Sequence, residues 1–78
     1  MLPLDPVSLD DAAVRLDVPR STVGVWVHRY KVRRVGTVAR RAFIDFWDLA
    51  AVEMCLRTGR TVPATPADRD ALRHPAAA

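Results

Sequence analysis

The fold of this chain is decided by residues 8–30, SLDDAAVRLDVPRSTVGVWVHRY. Two apolar stripes with helical spacing lie in this stretch, and Pro19 separates them, because proline suits the first position of a helix but not its interior. Ser8 is a typical N-cap for the first helix. The stretch therefore predicts two short amphipathic helices, over about 9–16 and 20–30. Their buried stripes are Leu9, Ala12, Ala13 and Leu16 in the first helix and Val23, Trp26, Val27 and Tyr30 in the second.

Short β-type runs replace the helical pattern after residue 30. They cover 32–35 and about 42–47, with Gly36 and Thr37 in a turn region between them. Asp48 is then suited to cap a third helix. We expect that helix to cover about 49–57 and to end at Thr58-Gly59, with Leu49, Val52 and Leu56 facing the core. The order predicts a mainly α fold with a small β-hairpin, and the large side chains expected in its core are Trp26, Phe43 and Trp47.

The chain has 78 residues, which is enough for one compact domain. We expect an N-terminal arm over 1–6 and a domain over 7–58. Residues 59–78 form a tail rich in proline and alanine that we expect to add little to the core. Within this tail, Thr65-Pro66 is suited to begin a short helix over 66–73.

Few side chains offer chemistry for catalysis or metal binding. Cys55 is the only cysteine, and with His28 and His74 it forms no cluster at zinc-ligand spacing. No nucleophile, base and orienting group can be assembled, so we expect neither an enzyme nor a bound metal or cofactor. No apolar run approaches the roughly 18 residues of a membrane helix, and the first residues lack a secretory signal. We therefore expect no membrane partner and a cytoplasmic location.

Positive charge is concentrated in one segment of the sequence. Residues 20–41 contain seven basic residues and no acidic residue, whereas the whole chain has a net charge of +3. Segregation on this scale indicates an anionic polymer as partner, and a solvated basic face is the alternative. The seven basic residues are Arg20, Arg29, Lys31, Arg33, Arg34, Arg40 and Arg41.

The motif Ala13-x3-Asp17-Val18-x3-Thr22-Val23-x2-Trp26 resembles the helix-turn-helix signature of MerR-like and phage excisionase-like DNA-binding domains. Those families follow the second helix with a β-hairpin wing and a short third helix, which is the order predicted here for 7–58. The chain departs from their motif in having Asp17 where glycine is usual and Pro19 where a capping serine is common. Aspartate can still adopt the left-handed conformation of the turn. The resemblance implies a winged helix-turn-helix protein that binds double-stranded DNA in the cytoplasm or nucleoid of a bacterial host.

By this resemblance the second helix is the recognition helix, which enters the major groove. Arg20 is then the first candidate for a bidentate guanine contact. Ser21 and Thr22 lie in the first turn, where hydroxyl and N–H groups suit phosphate, and a local capping role is the alternative for Thr22. The remaining candidate contacts of this helix are Gly24, Val25, His28 and Arg29. Arg29, like Lys31 after the helix, is expected to anchor the DNA backbone. His28 is expected to reach a phosphate or a base, and an exposed histidine without a role is the alternative.

Glycine in the recognition helix needs an explanation, because it destabilises a helix and has no side chain with which to read a base. Either DNA approaches the backbone closely at Gly24, with Val25 against a thymine methyl, or the protein discriminates bases weakly, which is the interpretation we favour. The resemblance also implies a wing that enters the adjacent minor groove. Its candidate contacts are Lys31, Arg33, Arg34, Arg40 and Arg41. A hairpin edge protected by charge against aggregation is the alternative.

Several biological roles agree with these expectations. The chain resembles stand-alone members of these families, which are excisionases that direct recombination and small MerR-like transcriptional regulators, and we expect monomers to bind DNA cooperatively. A phage packaging component similar to a small terminase subunit, or an interaction module with a basic face, is the alternative. A recombinase or another protein is the candidate partner of the tail over 59–78.

Overall fold

The computed structural model describes residues 4–73, without the side chain of Arg73. These residues form four helices and one three-stranded antiparallel sheet in a mixed α/β arrangement. The elements in chain order are β1 (Pro6–Ser8), α1 (Leu9–Leu16), α2 (Arg20–Tyr30), β2 (Arg34–Val38), β3 (Arg41–Asp45), α3 (Phe46–Arg57) and α4 (Pro66–Arg73). Residues 1–3 of the expected N-terminal arm and 74–78 of the expected tail lie outside the described residues.

The two helices predicted from residues 8–30 are confirmed, including the local signals at their ends. The Ser8 side chain caps α1 by accepting a hydrogen bond from the Asp11 amide at 3.1 Å. Asp17 ends α1 in the left-handed conformation, with φ of 56°. Pro19 precedes α2 without a side-chain cap, and Lys31 ends it with φ of 51°. The α1 and α2 stripes face the same core, in which Ala12 and Val23 are both fully buried.

The hairpin is present, but its predicted turn is wrong. Gly36 and Thr37 lie within β2, and the chain reverses at Ala39 and Arg40. Both turn residues have positive φ, 49° and 65°, as a two-residue type I′ hairpin turn requires. An irregularity in pairing between Arg34 and Gly36 shifts the register at Val35, so Gly36 borders a bulge of β2 and is not part of the turn.

A third strand enlarges the predicted hairpin into a sheet. β1 pairs antiparallel with β3, so that the strand order is β1-β3-β2, and Pro6 lies opposite Asp45. The expectation of a mainly α fold with only a hairpin therefore needs correction. The last residue of the arm expected over 1–6 also belongs to this sheet, since β1 begins at Pro6. The next residue of the strand, the apolar Val7, is buried at 2% exposure and lies opposite Ile44 of β3.

Helix α3 begins earlier than the sequence predicts. Its N-cap is Asp45, whose carboxylate accepts a hydrogen bond from the Trp47 amide at 3.3 Å, and Asp48 is instead buried inside the first turn. The earlier start turns Trp47 outward, where it is 45% exposed and not in the core. Leu56, expected to face the core, is likewise exposed, and Cys55 is buried instead.

The tail contributes more than the sequence predicts. Thr65 caps α4 by accepting a hydrogen bond from the Asp68 amide at 3.1 Å, and the helix covers the range 66–73 expected for it. Helix α4 packs against α3. Its Arg69 is 1% exposed, so residues 59–73 are part of the folded unit.

Candidate nucleic-acid interface

The basic residues of 20–41 lie on α2, on the hairpin formed by β2 and β3, and on the connection between them. Six of the seven are exposed, and we call them the six exposed cations. They are Arg20, Arg29, Lys31, Arg34, Arg40 and Arg41. The seventh, Arg33, is partly buried. Folding therefore leaves most of the charge of this segment available to a partner.

One cleft joins the start of α2 to the tip of the hairpin. Arg20, Arg40 and Arg41 line it together with the first residues of α1. Arg20 also forms an ion pair with Asp10, with Nε 3.0 Å from the carboxylate, and both side chains are more than half exposed. An exposed pair of this kind is worth about 0–1 kcal/mol, so a phosphate or a base edge can displace Asp10 at little cost.

A second depression lies where α2 ends and β2 begins. His28, Lys31 and Arg34 line it, with Val27 and Val32 at its floor. On α2, Arg20, Gly24 and His28 follow one another at intervals of four residues and so share one stripe of the helix. Both ends of this stripe therefore adjoin basic residues of the hairpin.

The middle of that stripe is open. A Cβ built at Gly24 would meet no atom within 4 Å, so packing within the protein does not require glycine there. Ser21, Val25 and Arg29 are exposed on the neighbouring stripe of α2, whereas Thr22 is partly buried at its edge. Five of the seven predicted contacts of α2 are thus exposed, whereas Thr22 and Gly24 are partly buried.

Arg33 is placed differently from the other residues predicted for the wing. Its guanidinium forms two parallel hydrogen bonds to Asp70 of α4, at 3.2 and 3.0 Å, and a third contact of 3.4 Å to Asp45. The hydrogen bond to Asp70 raises the pKa of Arg33, with further help from the nearby charges of Asp48 and Asp45. Arg33 is therefore held by the protein's own carboxylates and is not one of the exposed cations.

A buried ion pair lies directly behind the connection from α2 to β2. Arg69 of α4 and Asp48 of α3 form two parallel hydrogen bonds, of 2.6 Å from Nε and 2.8 Å from Nη2, and neither side chain is exposed. Asp48 also accepts a hydrogen bond from the Arg33 amide at 2.7 Å. Arg69 donates to the carbonyl oxygens of Pro63 and Lys31, at 2.9 and 3.4 Å. Together these bonds tie both helices to residues 31–33.

The sequence carries no usable signal for this pair. Asp48 has the position of a helix cap because it precedes an apolar helical pattern, and Arg69 resembles any other solvated arginine of a polar tail. The two residues are 21 positions apart, and only the packing of α4 on α3 brings them together. Asp45 and Asp70 could not be predicted as partners of Arg33 for the same reason.

Residues 4–73 include no helix that is long and apolar enough to cross a bilayer. Within the same range, no three histidine, cysteine or acidic side chains are grouped so that they could hold a metal ion. The chain matches no protein-family model, no curated protein and no solved structure. The residues of the chain itself must therefore support any conclusion about its function.

Proposed function

We propose that this protein binds double-stranded DNA as a winged helix-turn-helix domain, with α2 in the major groove and the hairpin beside it as the wing. The observation that carries the proposal is the position of the six exposed cations. They come from a segment without acidic residues, and they lie on α2, on the connection that follows it and on the hairpin that adjoins both ends of α2. Such a cationic surface suits the regularly spaced phosphates of a duplex.

The side chains of α2 fit this role unequally. Arg20 can exchange its exposed bond to Asp10 for the O6 and N7 acceptors of guanine, which a guanidinium fork matches. Ser21 lies in the first turn, where exposed N–H and hydroxyl groups suit a phosphate. Gly24 offers no side chain but leaves open space for the close approach of DNA. We therefore expect binding that relies on backbone contacts and DNA shape more than on base reading.

Two biological roles follow from weak base reading combined with many cations. One is an architectural or recombination factor of the excisionase type, and the other is a small transcriptional regulator of the MerR-like type. Circular permutation of the binding site in a gel-shift assay measures bending, and footprinting measures the length of DNA that is protected. A bent site with several occupied repeats would favour the architectural role, whereas one short protected site without a bend would favour a simple repressor.

The direct test is the salt dependence of duplex binding. We expect fluorescence anisotropy with a labelled duplex to show that the logarithm of the affinity falls linearly with the logarithm of the salt concentration. The variant Arg40→Ala with Arg41→Ala lowers the magnitude of the slope by about 2, since each phosphate that is no longer neutralised lowers it by about 0.9. The matched control is Arg57→Ala with Arg60→Ala. It removes the same charge from two exposed residues at and just after the C-terminal end of α3, outside the basic segment.

Three results would contradict the proposal. The first is an absence of duplex binding at low salt. The second is an equal decrease of affinity in both double variants, which would indicate attraction by net charge alone. The third is stronger competition by an acidic polypeptide such as polyglutamate than by unlabelled duplex, which would favour an acidic protein as the partner of the basic face.

A further inference from the structure

The wing can act with α2 only if its position relative to α2 is fixed. The connection between them is short, because α2 ends at Tyr30 and β2 begins at Arg34. Lys31 turns the chain with a positive φ of 51°, and Val32 is buried at 3% exposure. Besides the pairing of β3 with β1, the direction in which the hairpin leaves α2 therefore depends on what holds residues 31–33.

Three polar groups of this connection are held by residues far away in sequence. The Lys31 carbonyl accepts from Arg69, the Arg33 amide donates to Asp48, and the Arg33 carbonyl accepts from the Asp45 amide at 2.9 Å. Arg69 and Asp48 also bind each other through two parallel hydrogen bonds. The connection is therefore fixed to the α3–α4 pair by a rigid, bidentate unit.

A buried ion pair is a poor device for stability alone. Taking both charges out of water carries a large penalty, and well-packed apolar residues of similar volume often stabilise a fold equally well or better. Arg69 and Asp48 are both fully buried, and together they make three further hydrogen bonds to the backbone. What this pair supplies and an apolar pair cannot is a defined position for the backbone of residues 31–33.

We propose that Arg69 and Asp48 are positioning residues of the DNA interface, which hold the hairpin at a fixed orientation to α2 although neither residue is exposed to DNA. The tail helix α4 is then part of the DNA-binding unit. The consequence for DNA rests on the proposed function, whereas the orientation of the hairpin does not.

The test uses the double variant Asp48→Leu with Arg69→Met, which keeps the net charge and approximate volume but removes every hydrogen bond of the pair. The matched control is Glu53→Leu with Arg57→Met, which removes the exposed arginine–carboxylate pair of α3. Residual dipolar couplings of backbone amides report the orientation and order of the hairpin relative to α2. We expect the control to match the wild type, and the hairpin couplings of the test variant to change or to average toward zero.

Duplex binding of the same variants provides the second measurement. In the test variant we expect Arg34, Arg40 and Arg41 to neutralise fewer phosphates. For each phosphate that is no longer neutralised, the affinity at about 0.1 M salt should fall about 8-fold and the salt slope by about 0.9. The control should keep both values. If the wild type itself does not bind duplex, the proposed function fails while the dipolar couplings still decide the positioning role.

Unchanged couplings and an unchanged salt slope in a folded test variant would refute the proposal. If this variant does not fold, Arg69→Lys replaces it, since lysine keeps the charge but lacks the fork that reaches Asp48 and the two carbonyls together. If that variant also fails, hydrogen exchange of the wild type decides. The Arg33 amide must then exchange only through global unfolding, and faster exchange through local opening would overturn the proposal.

Discussion

Replacing Arg69 with alanine removes the cation of the buried Arg69–Asp48 pair between α4 and α3. The carboxylate of Asp48 then remains buried without its cation. The remaining partner of that carboxylate is the Arg33 amide, at 2.7 Å. A lone amide cannot replace the two charge-assisted bonds to the guanidinium. The carbonyl oxygens of Pro63 and Lys31 are also deprived of a donor.

The expected decrease in stability is about 3–5 kcal/mol, which is typical when one partner of a buried pair is removed. A chain of 78 residues has a total stability of about 4–12 kcal/mol at about 0.05–0.15 kcal/mol per residue. The variant Arg69→Ala should therefore lose at least about a quarter of the total stability, and at the low end of that range it should be partly unfolded at about 25 °C. The apolar variant Asp48→Leu with Arg69→Met removes both charges of the pair. It leaves the Arg33 amide and two carbonyl oxygens without these partners, but it should be more stable than Arg69→Ala because no uncompensated Asp48 charge remains.

Urea denaturation followed by tryptophan fluorescence and circular dichroism measures these differences. Arg60→Ala is the matched control, because Arg60 is an exposed arginine between α3 and α4 and its replacement should change the unfolding free energy by less than about 0.5 kcal/mol. The slope of unfolding free energy against urea should remain similar in all folded variants, since they expose similar surface on unfolding.

A decrease below about 1 kcal/mol for Arg69→Ala would refute this reasoning. That value is typical of a solvated surface pair, and it would mean that water reaches Asp48 once the arginine is gone. A double variant less stable than Arg69→Ala alone would also contradict it, because the uncompensated charge of Asp48 is the expected cause of the instability.

Three further substitutions test other parts of the structure. Gly24→Ala should raise the unfolding free energy by about 0.5–1 kcal/mol, because the added Cβ meets open space in a helix. It should also lower the affinity for duplex. Unchanged affinity in fluorescence anisotropy would show that DNA does not come close to this residue. Ala39→Asn should add about 0.5–1 kcal/mol in urea denaturation, because asparagine tolerates the positive φ of the hairpin turn better than alanine, and a decrease would argue against a type I′ turn. Asp70→Asn should reduce stability by about 1 kcal/mol, because it weakens the bonds to Arg33. By releasing Arg33 to the duplex it should also increase the magnitude of the salt slope by up to about 0.9. A slope no steeper than that of the wild type would show that Arg33 is not available to DNA.

The helix pair could be predicted from sequence because its signals are local. Ser8 caps α1, Asp17 takes the left-handed turn position, and Pro19 precedes α2, each through contacts within a few residues of chain. The spacing of the apolar residues then determines which sides of these helices are buried. For the same reason, the exposed face of α2 that carries Arg20 and Arg29 could be predicted correctly.

The hairpin and the tail could not be predicted in detail because non-local pairing determines them. Gly36 is a strong turn signal, yet pairing with β3 places it at a bulge and leaves Ala39 and Arg40 in the turn. Asp48 carries a cap signal, yet the strand pairing of β3 ends at Asp45 and starts α3 there. Arg33 belongs to a basic segment, yet Asp70 of α4 removes it from the exposed cations.

The sequence by itself determined the two amphipathic helices, the positions of their caps and the concentration of positive charge in 20–41, since each depends on residues close together in the chain. Only the tertiary structure decided that α4 packs on α3, that Arg69 meets Asp48, and that this pair binds the connection between α2 and the hairpin. The reason is physical: the carboxylate and guanidinium are buried only after distant elements pack, and burial makes their hydrogen bonds obligatory.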